Sequence, residues 1–227
     1  MNSKDHWAKR FFVLPLVPLF LRLGVTPNGL TSSRIVLAPL AVICQQLGGY
    51  WLAICLLLLI IADITDALDG WWARYKDGDK VPEDKVTQFG KLFDPAADKI
   101  FHMALFVAFV ASGWVPFWII IVFLWRDQLG DLVRGYVSFV SKKAMGALTS
   151  GKIKTASQGI VQGVVISLYL VKAIGFDFPA REISLGFMMI AAVIAIYSGV
   201  DYGYHGYVKS HEDDDNKKKP VPDSLPV

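Results

Sequence analysis

"WLAICLLLLIIADIT", residues 51–65, runs without a break into "DALDGWWARYKDGDKVPEDKVTQFGKLFDPAADK", residues 66–99, and then into "IFHMALFVAFVASGWVPFWIIIVFLW", residues 100–125. Two strongly apolar runs flank a polar segment, and Asp66, Asp69, Asp94 and Asp98 stand where the runs meet it. A helical apolar run of roughly 20 residues matches the thickness of a bilayer. Helix is also the form that satisfies its own backbone in lipid. The stretch therefore reads as membrane helices joined by a polar loop, with four carboxylates at the wet ends.

The rest of the chain extends this reading. Of 227 residues, 54% are apolar, and the mean hydropathy is +0.43, more than a soluble core of this size calls for. The predicted fold is all-α: an integral membrane protein with six transmembrane helices, at about 30–46, 50–73, 91–112, 115–140, 155–174 and 182–204, plus an N-terminal interfacial helix. Residues 1–25 carry "WAKRFFVLPLVPLFLRLGV", which is apolar, basic at its flanks and broken by prolines, and so suited to the membrane surface. No small-residue cleavage site follows it, so no cleavable signal peptide is expected. Residues 26–206 form the membrane domain. Residues 207–227, with "HEDDDNKKKPVPDSLPV", read as a disordered charged tail. Cys44 and Cys55 fall inside predicted helices and suggest neither a disulfide framework nor a zinc site.

Charge sets the orientation. The links "QQLGG", "SGWVP" and "KAIGFDFPAR" hold only Lys172 and Arg181, whereas lysine and arginine crowd the N-terminal segment, the loops near 74–99 and 141–154, and the tail. By the positive-inside rule both termini and both polar loops face the cytoplasm. The four aspartates then lie on the cytoplasmic side of a multi-pass cell-membrane protein. The net charge of +3 is small, and no nucleic-acid partner is expected.

Asp66 and Asp69 are three apart, and Asp94 and Asp98 four apart, so each pair shares a helix face. Four converging carboxylates repel one another and resist desolvation. Divalent cations remove both penalties, and hard oxygen ligands suit magnesium, manganese or calcium. Such a set could hold two ions, as two-metal phosphoryl-transfer sites do. The alternative is a set of surface salt bridges with Lys76, Lys80, Lys85 and Lys99.

The pattern D-x-x-D-G-x-x-A-R followed by G-x-x-x-D-x-x-x-D, carried by Asp66, Asp69, Gly70, Ala73, Arg74, Gly90, Asp94 and Asp98, resembles the signature of the CDP-alcohol phosphotransferase (phosphatidyltransferase) family. One departure is visible: fifteen residues, Tyr75 to Phe89, separate Arg74 from Gly90, more than the family's usual spacing. The excess falls in polar, turn-rich "YKDGDKVPED" and reads as a loop insertion.

The resemblance implies roles. Asp66 and Asp94 would bridge two magnesium or manganese ions, Asp69 would complete one site and Asp98 the other, and Asp98 would also be the catalytic base. The CDP-lipid would meet Asp69, Gly70, Ala73, Arg74 and Gly90, together with Asn28 and Thr31 in "TPNGLTSSR" and Thr87 before Gly90. The resemblance also implies six spans, a homodimer, CDP-diacylglycerol as donor and membrane lipid as surroundings.

The acceptor is suggested by "GKIKTASQ", residues 151–158, which resembles the G-K-x-K-T-x-x-Q stretch typical of phosphatidylglycerophosphate synthases, as do "FDPAADK" and "RDQLGDLVRGYV". On that reading the acceptor is glycerol 3-phosphate, its phosphate held by Arg126, Arg134, Lys152 and Lys154. Another alcohol acceptor, such as inositol phosphate or an amino alcohol, is the alternative within the family. Arg126 and Arg134 have a blander reading as partners of Asp127 and Asp131 within one helix. Asp63 and His102 read as structural or supporting residues. An ion or proton transporter is the competing class, but no repeat or broken midplane helix supports it.

Overall fold

The computed structural model describes residues 27–75, 88–141 and 149–218. Among the described residues there are six helices and no strand: α1 (Pro27–Leu47), α2 (Trp51–Tyr75), α3 (Gln88–Ala111), α4 (Phe117–Ser141), α5 (Thr149–Ala173) and α6 (Ala180–Lys218). Each predicted segment coincides with one of them. Two are long and apolar enough to cross a membrane by length and composition, in Thr149–Ala173 and Ala180–Val208, while Ser32–Leu47 and Lys99–Ala111 are shorter apolar stretches. The expected interfacial segment, 1–25, lies outside the described residues.

Local chemistry explains the helix ends. Pro27 opens α1, where its missing N–H costs nothing. Gly48 and Gly49 close it at φ 65° and 56°, a left-handed conformation that glycine adopts without strain. Trp51 then donates to the Gly48 carbonyl at 3.1 Å and starts α2. At the other end of the chain α6 runs on to Lys218, so helix continues through 207–218, part of the segment expected as disordered tail. Glu212, Asp213 and Asp214 precede Lys217 and Lys218 by three to six residues. Acid-before-base order near i,i+4 favours helix, and lysines suit a helix C-terminus. Residues 219–227 lie outside the described ones.

The chain divides into two packing units, residues 1–112 with 165–178, and residues 113–164 with 179–227. In the first, α1 packs on α2 and α3. Its buried positions recur at helical spacing: Ala38, Ala41 and Cys44 on α1, Leu52, Cys55, Leu59 and Ala62 on α2, Phe101, Leu105 and Phe109 on α3. Small side chains let the helix backbones approach closely, the usual solution where lipid supplies no hydrophobic drive. In the second unit α4 packs on α6, and Ile119, Phe123, Met188, Ala191 and Ala195 are among its buried residues. Exposed faces are apolar instead: Ile43, Leu57, Ile64, Ile190 and Val193 all lie open. So many large apolar side chains left open on helices suit surroundings other than water.

Candidate active site

In the first unit, α2 remains helical through the whole D-x-x-D-G-x-x-A-R stretch, and α3 includes Gly90, Asp94 and Asp98. Backbone geometry thus puts Asp66 and Asp69 within one turn of α2, and Asp94 and Asp98 within one turn of α3. The side chains of Asp69, Gly70, Ala73, Arg74, Gly90, Asp94 and Asp98, like those of Asn28 and Thr31 on α1, lie outside the described ones, and Thr87 lies outside the described residues altogether.

Asp66 is described, and it is held. Arg34 of α1, only 1% exposed, donates from Nη1 to Asp66 Oδ1 at 2.9 Å, while the Asp66 side chain remains 47% exposed. Arg34 Nε also reaches Thr65 Oγ1 at 3.5 Å, and the Thr65 hydroxyl donates to the Ala62 carbonyl at 2.8 Å. A turn earlier, Asp63 Oδ1 lies 3.4 Å from Nε2 of the buried His102 on α3. Sequence reasoning did not find Arg34. The available signal was an arginine set in an apolar helix, which demands a partner.

The residues proposed for acceptor binding lie in the second unit. Asp127 of α4 is nearly buried, and its two oxygens accept from Lys154 Nζ of α5 at 2.7 and 2.9 Å. Arg126 Nη1 also reaches Asp127 Oδ1, at 3.2 Å, and Nη2 donates to Ser198 Oγ of α6 at 2.6 Å. Arg126 and Lys154 thus share one carboxylate, and both are buried. Arg126 Nε is buried with no hydrogen-bond partner among the described residues. Arg134, two turns along α4, donates to Asp131 at 3.0 Å and to the Gly130 carbonyl at 3.2 Å. Both intrahelical pairings weighed from the sequence are therefore present, and Lys154 adds a contact between helices that spacing alone did not suggest. The Lys152 side chain lies outside the described ones.

Ser198, Asp201 and Tyr202 of α6 were also missed. Ser150 donates to Asp201, and Tyr202 lies beneath the arginines. Polar residues at i, i+3 and i+4 inside an apolar helix were the signal. Asp127→Ala should lower stability by about 2 kcal/mol, since it strips a shared carboxylate from two buried cations. Thermal unfolding in detergent measures this, and an unchanged midpoint would deny Asp127 its structural weight.

The two sets of side chains differ in chemistry. α2 and α3 offer carboxylates only, a hard-oxygen donor set of the kind divalent cations prefer. Among the described residues no three metal-binding side chains converge, so the fit to a metal rests on that donor chemistry and on the helix positions. The second unit offers two buried cations, and Arg126 has an N–H without a partner among the described residues, the chemistry of an anion site. Residues 24–197 match the family model for CDP-alcohol phosphatidyltransferase.

The chain belongs to that family.

Relatives point the same way. A Bacillus subtilis protein named CDP-diacylglycerol--glycerol-3-phosphate 3-phosphatidyltransferase is 30% identical over 82% of this chain and 95% of its own length. A Treponema pallidum protein of the same name is 33% identical over 66% of this chain and 68% of its own. One from Mycoplasma genitalium is 28% identical over 87% and 79% respectively.

Proposed function

We infer that the chain transfers the phosphatidyl group of CDP-diacylglycerol to sn-glycerol 3-phosphate, forming phosphatidylglycerophosphate and releasing CMP. The observation that carries the acceptor assignment is the buried Arg126 guanidinium, which shares its carboxylate with Lys154 and whose Nε has no partner among the described residues. An acceptor that already bears a phosphate needs such donors, and the names of the relatives agree.

The roles follow from the chemistry. Asp66, Asp69, Asp94 and Asp98 would hold two magnesium or manganese ions. Bound there, the ions would neutralise charge on the pyrophosphate and the departing CMP. Arg34 keeps Asp66 oriented, as residues behind metal ligands commonly do. Asp98 takes the proton of the acceptor hydroxyl as its oxygen forms the new bond to phosphorus and the bond to CMP breaks. Asn28, Thr31, Asp69, Gly70, Ala73, Arg74, Thr87 and Gly90 bind the CDP-lipid. Arg126, Arg134, Lys152 and Lys154 hold the acceptor phosphate. We further propose that all six helices span the membrane, that both termini and the site face the cytoplasm, and that the enzyme is a homodimer.

The test offers purified protein CDP-diacylglycerol with magnesium and, in parallel, glycerol 3-phosphate, inositol phosphate, inositol and serine, with CMP release recorded. Release with glycerol 3-phosphate alone is expected, and preference for another alcohol would overturn the acceptor. Lys154→Ala should raise the KM for glycerol 3-phosphate about tenfold or more, the scale of one charge-assisted hydrogen bond. The KM for CDP-diacylglycerol should change little. Equal shifts in both constants would move the acceptor phosphate away from Lys154.

A further inference from the structure

We propose that Tyr202 is a positioning residue for acceptor recognition, an aromatic platform that orients Arg126 and Arg134 toward the phosphate of a phosphorylated polyol. The proposal rests on the acceptor reading above and concerns a residue to which that reading gives no part.

Tyr202 is 2% exposed on α6. The guanidinium carbon of Arg126 lies 5.0 Å from the centre of its ring, and that of Arg134 lies 5.7 Å away. Both distances fall within cation–π range. A guanidinium has five N–H donors in one plane. A carboxylate that fixes the group consumes those donors, whereas an aromatic face attracts the cation and leaves the N–H edge for another partner. Arg126 shows the result: Ser198, one turn before Tyr202, and Asp127 take one contact each, and Nε keeps its hydrogen. On Arg134, among the described residues, Nε and Nη2 donate, to Gly130 and Asp131.

The ring also accounts for a glycine. A Cβ on Gly151 would lie 2.6 Å from the Tyr202 hydroxyl oxygen, 3.0 Å from Cε2 and 3.2 Å from Cζ. Any side chain there would displace Tyr202. Gly151 opens the G-K-I-K-T stretch, and Lys154 follows three residues later on the same helix. Ser150 beside Gly151 is tied to Asp201 beside Tyr202. One ring thus sets the register between the arginines of α4 and the first turns of α5.

Tyr202→Leu removes the aromatic face and leaves a smaller apolar side chain. It should raise the KM for glycerol 3-phosphate about tenfold, the scale of two partly desolvated cation–π contacts, with kcat and the KM for CDP-diacylglycerol little changed. Tyr202→Phe restores the face and should recover most of that loss. Gly151→Ala should raise the same KM by pushing the ring aside, and should add less in the Tyr202→Leu background, because the two changes act through one contact. If Tyr202→Leu does not fold, Gly151→Ala carries the test alone. Equal shifts of both substrate constants, or a lowered thermal midpoint with unchanged acceptor KM, would reduce Tyr202 to packing. Arg126→Ala and Lys154→Ala run alongside. If they leave the acceptor KM unchanged, the acceptor reading itself fails. If they raise it while Tyr202→Leu and Gly151→Ala do not, only the platform fails.

Discussion

Asp98→Asn is expected to lower turnover about a hundredfold or more, the usual scale for losing a positioned acid–base group. Asparagine keeps an oxygen of nearly the same reach but cannot take a proton at neutral pH, and it removes one negative charge. Asp98 lies one turn after Asp94 on α3, the last acid of the family signature. The signature's other acids stay in place in this variant, so binding of CDP-diacylglycerol should survive better than turnover. Two measurements on the same preparation separate the effects: CMP release under saturating substrates, and retention of a CDP-lipid analogue. Turnover near that of the parent enzyme would remove Asp98 from the base role.

Excess chelator is expected to abolish activity outright, and magnesium or manganese to restore it. Without cations the four carboxylates would meet the anionic pyrophosphate of the donor, and like charges at such range repel strongly where water is scarce. Calcium fits the same hard-oxygen donors but accepts looser geometry, so it should bind and restore less. Titration of the chelated protein with each ion, scored by CMP release, gives the order. Full turnover in excess chelator would sink the metal reading and leave the acids without a chemical task.

Which features were open to reading can be traced to particular residues. The helices were open because apolar runs such as "CLLLLII" in α2 and "FVAFVA" in α3 are local signals, and a backbone in lipid has little choice but helix. The end of α6 was harder. A charged run such as "HEDDDNKK" reads as solvated tail by composition, while the spacing of its acids and lysines favours another helical turn, and α6 extends to Lys218. His102, expected as a packing or a supporting residue, is buried, edge-on to Phe101, with Nε2 3.4 Å from Asp63 Oδ1.

By itself the sequence determined that the chain is helical, that acids cluster at the ends of α2 and α3, and which family it joins, because residue type and spacing along one helix carry that information. Only the tertiary structure decided who pairs with whom. Arg34 finds Asp66 across thirty-two residues, Asp127 is shared between its neighbour Arg126 and the distant Lys154, and Tyr202 lies under two arginines of another helix. Such pairings depend on the register between helices. That register is set by small side chains at the contacts, such as Ala38, Ala41 and Gly151, and a shift of one residue turns a side chain about 100° around its helix.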